Sequence, residues 1–325
     1  MIYIALKTEK PRRLSFYLAM EEYVARKLNA GEDCFFMWQV EPSVIFGRNQ
    51  LVENEVNLEY CKAKGIRTYR RKSGGGCVYA DMSNIMFSYI TRSENVSLTF
   101  NRYTNMVTDM LRTLGVPAEA SGLNDIMIDG RKVSGNAFYH IPGHSIVHGT
   151  MLYDTNMENM VASITPSDEK LISKGVKSVR QHIALLKDYI DLDIEAFKRY
   201  TREHLCTSET ILDEEAERDI EDIEREYLTQ EFIYGSNPRY TQVNRQRIEG
   251  VGDIEVRMEI KNGIIKSVNI LGDYFLLGDL NAEIIQPLTG QPLGHDSIFA
   301  ALPEHPEQII RNITKNQLTS LIYGK

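Results

Sequence analysis

Cysteine is scarce in this chain, long apolar runs are absent, and basic charge is in deficit. The four cysteines among 325 residues, Cys34, Cys61, Cys77 and Cys206, are scattered. That excludes a dense disulfide framework and any close pair at metal-ligand spacing, and leaves buried thiols as the reading. No stretch is apolar over a membrane-spanning length. At the N-terminus Lys7, Arg12 and Arg13 follow a short apolar stretch rather than precede it, and the apolar core of a secretory leader is missing. A cytoplasmic protein without a membrane partner is expected. With 37 Lys and Arg against 45 Asp and Glu, the net charge is −8, which argues against nucleic acid as a partner. Neither internal repeats nor low-complexity segments occur.

What is present is an ordinary globular composition, 42% hydrophobic and 25% charged, in a chain too long for one small core. Two domains are expected, 1–244 and 245–325. Leu14, Tyr17, Leu18, Val24 and Leu28 fall at helical spacing, with Glu21, Glu22, Arg26 and Lys27 mostly on the other side. Strand-like runs follow over 34–40, 43–46, 67–70, 77–79 and 85–90, so a mixed sheet is expected. Residues 101–114 read as a helix stopped at Gly115, and 209–227 as a charged surface helix with a thin apolar stripe. Beyond residue 245, strict alternation over 254–261, then Asn262-Gly263, then an apolar run over 264–270 predicts a hairpin. Segments 278–283 and 306–322 are expected to cover it as helices, giving a small α+β domain.

Two segments carry chemistry. Arg70, Arg71 and Lys72 lead through Ser73 into Gly74, Gly75 and Gly76. A glycine run lets main-chain amides approach a phosphate or carboxylate with no Cβ between them. Taken alone, the same run is equally a connector. Farther on, Asp129-Gly130 predicts a type I′ turn between apolar runs, which sets Lys132 just past a tight hairpin. Asn124 and Asp125, before it, offer oxygens of the kind Mg²⁺ accepts, or are turn formers.

The glycine run, the Asn124 to Ala137 segment with Gly130-Arg131-Lys132-Val133-Ser134-Gly135, and His148-Gly149-Thr150 occur in one order. With Leu18 to Glu22, the Trp38 segment leading to Pro42 to Arg48, and Lys174 to Arg180, they resemble the lipoate-protein ligase family over nearly the whole chain. The resemblance implies an α+β fold: a mixed-sheet catalytic domain of the biotin/lipoate ligase type with a small C-terminal accessory domain. It implies an enzyme that uses ATP and Mg²⁺ to activate lipoate as lipoyl-AMP. The acyl group then passes to a lysine of a lipoyl domain, in a 2-oxoacid dehydrogenase E2 subunit or the glycine-cleavage H protein.

Carried onto this sequence, the resemblance makes Lys132 the essential lysine. It assigns Arg70, Gly75, Gly76, Cys77, Tyr79, Asn84, Asp125 and Lys132 to the nucleotide, and Asp125 also to the metal. It assigns Trp38, Arg70, Ser73, Gly74, Gly75, Gly76, Lys132, Ser134, Gly135, His148 and Gly149 to lipoate; Val44 and Phe46 on the next strand are candidate walls of the acyl slot, and core packing explains these two and Trp38 equally well from the sequence. It also implies that the accessory domain reorients between the two half-reactions. The chain departs from the family's usual wording at Ala80, where histidine is common, at Ser83, where glycine is common, and at Asn136 and 144–147. Three rivals stand beside this reading: an ATP-independent octanoyl or lipoyl transferase on the same fold, for which Cys77 would be the thiol of interest; a biotin ligase, whose Gly-Arg-Gly-Arg loop is missing; and a non-catalytic binder.

Overall fold

An eight-stranded mixed sheet is the frame of the first of two units in the computed structural model, which describes residues 1–8, 10, 12–28, 31–93, 95–121, 124–164, 181–235 and 240–324. The strands are β1 (Ile2–Leu6), β2 (Cys34–Trp38), β3 (Ser43–Phe46), β4 (Arg67–Arg70), β5 (Val78–Ala80), β6 (Ile85–Thr91), β7 (Ala118–Ala120), β8 (Asp125–Ile128), β9 (Arg131–Ile141), β10 (His144–Met151) and β11 (Ser208–Leu212). The large sheet runs β11-β1-β2-β6-β10-β9-β8-β7, and β4-β3-β5 form a second, three-stranded sheet. Pairing is parallel for β1 with β11 and β2, and antiparallel from β2 through to β7. Mixed pairing of this kind is the α+β arrangement the sequence predicts.

Period-two alternation gives the sheet two apolar faces. On one, Trp38, Met86, Ile90, Tyr139 and Ile146 join helix Leu14–Arg26 and helix Glu214–Tyr227 in a single core. On the other, helix Val96–Thr113 packs against β7 to β10 and helix Ile194–Leu205, with Phe100 edge-on to Phe138 and Tyr103 beside Tyr89. β8 and β9 meet at Asp129 (φ 49°) and Gly130 (φ 72°), the left-handed pair that the expected turn requires.

Helix Leu14–Arg26 differs from expectation in one respect that matters later: Glu21 and Glu22, expected on the solvent side, are buried. Position 21 fills the gap between Tyr17/Leu18 and Val24/Ala25 in the 3–4 spacing, so helical geometry turns it inward with them. The helix expected over 209–227 begins only at Glu214. Ser208–Leu212 is instead the parallel edge strand β11, whose alternating residues leave Ile211 outward and Leu212 in the core. Asp213 then caps the helix by accepting hydrogen bonds from the Glu215 and Ala216 amides. Its expected apolar stripe is buried at Ile220 and Tyr227, and Ala216 and Glu224 join them against Leu14–Arg26. Helix Val96–Thr113 starts earlier than residue 101, because Asn95 provides a cap by accepting from the Leu98 amide.

The second unit comprises 47–52, 72–76 and 234–325. Its sheet is β12 (Gln242–Ile248), β13 (Gly252–Lys261) and β14 (Ile264–Gly272), antiparallel throughout. The expected hairpin is present, turning at Asn262 (φ 54°) and Gly263 (φ 73°). Its covering layer is more broken than expected: a wide turn Asn281–Ile285 leads into Gln286–Leu288, then come helix His295–Ala301 and a short 3₁₀ turn Pro306–Gln308, and only Lys315–Tyr323 is a longer helix. Thr314 and Gln317 form a capping box that starts that last helix so late.

Ile254, Val256, Met258, Ile265 and Ile270 form the buried face against these helices. Truncating Ile254, which is fully buried, is expected to cost about 2–4 kcal/mol. Amide hydrogen exchange along β13 should therefore quicken in Ile254→Ala; unchanged protection would contradict this core.

Candidate active site

Lys132 is placed by the hairpin. The β8–β9 register shifts between Ile126 and Met127, which pairs Asp125 with Gly135 and Met127 with Lys132. The Lys132 ammonium lies 2.8 Å from Asp125 Oδ1, with both side chains partly open to solvent. Gly135 makes room for this: a Cβ there would stand 2.6 Å from Lys132 Cε and 2.7 Å from Nζ. The glycine thus sets the lysine's course, and the carboxylate holds its charge. Ser134 and Asn136 flank it, the Ser134 hydroxyl donating to Asn136 Oδ1 (3.2 Å) and Asn136 Nδ2 donating to the Asn124 carbonyl (3.0 Å). Opposite Asn136 sits Gly149, where a Cβ would overlap Asn136 Oδ1. Asn136, a departure from the family's wording, is therefore accommodated by a glycine across the ladder. Asn124 contributes main-chain and amide bonds to this hairpin, with its Nδ2 donating to the Asn136 carbonyl at 3.4 Å.

His148 neighbours Gly149 on β10 and lies almost fully buried. Its Nδ1 is 2.9 and 3.0 Å from the two oxygens of Glu21. Ser88, paired with His148 across β6 and β10, donates to Glu21 Oε1 at 2.6 Å and accepts from Trp38 Nε1 at 2.9 Å. Trp38 stacks on Tyr17 with centroids 4.9 Å apart. Val44 and Phe46 are wholly buried on β3.

A third group surrounds the β5–β6 turn. Asn84 is buried and donates from Nδ2 to Thr155 Oγ1 (2.9 Å), while its Oδ1 has no hydrogen-bond partner among the described residues. Ser83, where glycine was the common residue, donates both from its amide and from its hydroxyl to Asp81 Oδ1 (3.0 and 2.6 Å). It needs no positive φ, which explains why the departure is tolerated. Ala80 is fully buried, paired with Ser43. The Tyr79 hydroxyl accepts from Asn159 Nδ2 (3.3 Å), and burial pushes its pKa well up.

Arg70 is almost fully buried, its guanidinium 4.6 Å from the centre of the Phe46 ring and its Nε donating to the Ile233 carbonyl (2.8 Å). Arg71 is buried too, donating from Nη1 to the Ile45 carbonyl (3.2 Å), and burial pulls its pKa down to about 10. Burial also raises the Cys77 thiol far above its ordinary value, with Glu55 adding to the effect. Ser73, Gly74, Gly75 and Gly76 belong with the second unit. There Gly75 takes φ 85° and its amide donates to the Tyr274 carbonyl (3.1 Å). A Cβ on Gly74 would lie 2.5 Å from that same carbonyl oxygen. The close backbone approach expected of this run is made here to a peptide carbonyl. The Lys174 to Arg180 segment lies outside the described residues.

Of the residues singled out from the sequence, Lys132, Asp125, Ser134 and Gly135 come together on one hairpin, with Gly149 across the ladder, and Trp38 joins His148 through Ser88 and Glu21. The last two escaped the sequence reading. Glu21 had a signal, a charge inside an apolar stripe, whereas Ser88 in an apolar strand had none stronger than its polarity. No group of three or more His, Cys, Asp or Glu side chains among the described residues could cage a metal, and among them no helix is long and apolar enough to cross a membrane.

Gly149→Ala should disrupt the ladder, because Asn136 is tied at both ends of its amide. We expect a loss of about 1–3 kcal/mol, as for other overpacked sites, read by urea unfolding, and recovery when Asn136→Ala is added. Stability unchanged by the single substitution would contradict the packing described.

A family model described as lipoyl protein ligase A/B catalytic domain matches residues 14–206, and one described as bacterial lipoate protein ligase C-terminus matches 237–322. The chain is 34% identical over 318 residues to lipoate-protein ligase LplJ of Bacillus subtilis, covering 94% of this chain and 96% of the relative. Among solved structures, the bipartite lipoate protein ligase of Thermoplasma acidophilum, described with its E2 lipoyl domain, is 28% identical with a TM-score of 0.65, covering 74% of this chain and 98% of that one. A lipoate-protein ligase A bound with ATP is 27% identical with a TM-score of 0.62, covering 72% of this chain and 98% of its own. The two-unit α+β fold, the two family models and this near-complete correspondence establish that the chain belongs to the lipoate-protein ligase family.

Proposed function

We propose that the chain is an ATP-dependent lipoate-protein ligase of the cytoplasm, with a catalytic portion over 1–244 and an accessory portion over 245–325. A lipoate carboxylate oxygen attacks the α-phosphorus of ATP, pyrophosphate leaves, and lipoyl-AMP forms. An acceptor lysine amine then attacks the acyl carbon, and AMP leaves with the bridging oxygen. The acceptor is a lipoyl domain of a 2-oxoacid dehydrogenase E2 subunit or the glycine-cleavage H protein. The observation that carries this reading is Lys132, an ammonium held by Asp125 and steered by Gly135. A fixed cation at this point neutralises charge that develops as the carboxylate meets the phosphate. Similarity to a ligase bound with ATP, and to one described with its E2 lipoyl domain, supports the choice of nucleotide and acceptor.

Asp125 would give Mg²⁺ one carboxylate. That suits an ion that enters with ATP and takes most of its ligands from phosphate and water, and when bound it would screen the phosphate charge. Asn84, with a buried oxygen unpartnered among the described residues, and Arg70, Gly75, Gly76, Cys77 and Tyr79 are assigned to the nucleotide. Trp38, Arg70, Ser73, Gly74, Gly75, Gly76, Lys132, Ser134, Gly135, His148 and Gly149 are assigned to lipoate. The rival transferase reading needs Cys77 as a thiolate. Burial opposes that charge, and a thiol held neutral is a poor nucleophile.

ATP–pyrophosphate exchange tests the proposal. Exchange should require lipoate and fall by at least about 10²-fold in Lys132→Ala. A folded wild-type protein that exchanges with no acid would overturn the reading in favour of carrier-to-carrier transfer.

The thiols give a second expectation. Burial raises Cys34 and Cys206 to about 11, and Cys61 and Cys77 are raised as well. A raised thiol pKa means less thiolate at a given pH, so iodoacetamide at pH 8 should label the native chain far more slowly than the urea-unfolded chain. Rapid, selective labelling of Cys77 in the native protein would instead favour the thioester route.

A further inference from the structure

The sheet of the second unit stops at β12, which pairs with β13 and, among the described residues, with no other strand. Which of its main-chain groups are left over follows from β13. The Asp253 amide donates to the Asp273 carboxylate and the Asp253 carbonyl accepts from the Asp273 amide, so the main chain at 253 is turned towards β14. Alternation then turns the main chain of Ile254, Val256 and Met258 towards β12, where they meet Gln246, Asn244 and Gln242. The Thr241 amide donates to the Met258 carbonyl (2.8 Å), as this parity requires. The N–H and C=O groups of Val243, Arg245 and Arg247 therefore point out of the sheet, and they have no hydrogen-bond partner among the described residues.

A groove of about 640 Å³ follows this edge between β12 and helix Lys315–Tyr323, room for a short extended peptide rather than a single ion. Its walls carry Asn244, Gln246, Asn316, Gln317 and Ser320, side chains that both donate and accept. Asn244 is committed to the Ile322 carbonyl and Gln317 to the Thr314 cap. Gln246, Asn316 and Ser320 have no side-chain hydrogen bond among the described residues. The opposite face of β12 carries Val243, Arg245 and Arg247. Arg247 is paired with Asp253 (2.9 Å). Glu255, across the ladder from Arg245, is taken by Arg257 (2.6 Å). Arg245 is exposed and has no ion pair among the described residues.

A bare strand edge beside a helix is the geometry that accepts an added strand, main-chain bonds giving affinity and alternate side chains giving choice of partner. A second copy of the chain suits it poorly. Two β12 strands laid antiparallel about their middle would set Arg245 against its own counterpart and Val243 against Arg247, and like charges directly opposite are destabilising. We propose that the free edge of β12 binds an extended acidic segment of a partner protein as a fourth strand of this sheet. The segment's main chain bonds to Val243, Arg245 and Arg247. Its Asp or Glu side chains, at every second position, lie against Arg245 and Arg247, and the small polar side chains between them face Gln246, Asn316 and Ser320. The inference uses no residue of the lysine hairpin and stands apart from the ligase reading.

The test is amide hydrogen exchange of the full chain, followed by NMR with and without the peptide acetyl-Ser-Glu-Thr-Glu-Thr-Glu-Ser-amide. At about 1 mM peptide and a Kd of ~0.1 mM, occupancy slows exchange at the amides it covers about ten-fold. That slowing is expected at Val243, Arg245 and Arg247 and not at Asn244 or Gln246, whose amides already bond to β13. The same peptide with Lys in place of Glu should give none, and Arg245→Glu, an exposed substitution, should remove the response to the acidic peptide. Val243→Pro deletes one outward N–H while leaving the β13 ladder intact, and should weaken the peptide by about two- to ten-fold. Equal slowing with the lysine peptide, slowing spread over consecutive residues, affinity unchanged in Val243→Pro, or no slowing at all would overturn the proposal. So would protection of the same three amides without peptide together with a dimer in sedimentation, which would give the edge to a second copy of the chain.

Discussion

The first unit is organised around a carboxylate sealed inside it. Glu21 has no contact with solvent, so its charge must be met by donors at fixed places, and those donors lie on the central strands β6 and β10. The helix that carries it therefore docks in one orientation. Glu22, one residue on, is buried as well and accepts from the Tyr227 hydroxyl, which ties the same helix to Glu214–Tyr227. Glu224 on that second helix is buried in turn, accepting from Ser15 (2.5 Å) and Arg13 (3.0 Å). Buried acids that are individually unfavourable become specific when each is answered from a different element.

The lysine hairpin follows a different rule, in which absent side chains do the positioning. Gly135 and Gly149 face atoms that a Cβ would strike, Lys132 in one case and Asn136 in the other. Gly74 in the second unit meets the Tyr274 carbonyl in the same way. Glycine at these points permits close approach, and one of the three, Gly135, faces a side chain assigned to the chemistry. The hairpin is rigid where it needs to be, because Asn124 and Asn136 close it with reciprocal bonds.

Much of this was legible in the sequence for physical reasons. Asp129-Gly130 and Asn262-Gly263 announce turns because few other residues accept positive φ, and alternation over 254–261 fixes which face of β13 is buried. The segment 209–227 misled because its charge and thin stripe suit a helix, whereas β11 is made by pairing with β1, a partner more than two hundred residues away. Local pattern carries no record of such a partner. Glu21 was overlooked because acidity was allowed to outweigh spacing. The residues of the lysine site stood out as motifs, but the close approach at Gly135 and the pairing of Lys132 with Asp125 depend on a register shift in β8–β9, and the close approach at Gly149 on the β9–β10 register, neither of which composition reveals.

The central claim is that the acyl group passes through an adenylate, and oxygen tracing reports on it directly. With both carboxylate oxygens of lipoate labelled with ¹⁸O, the protein, ATP and an isolated lipoyl domain would be allowed to react and the AMP analysed by mass spectrometry. Attack of the carboxylate on the α-phosphorus followed by aminolysis predicts one ¹⁸O in the AMP for each lipoyl group attached to the domain. Lipoylated domain accompanied by unlabelled AMP, or formed without ATP, would contradict the account.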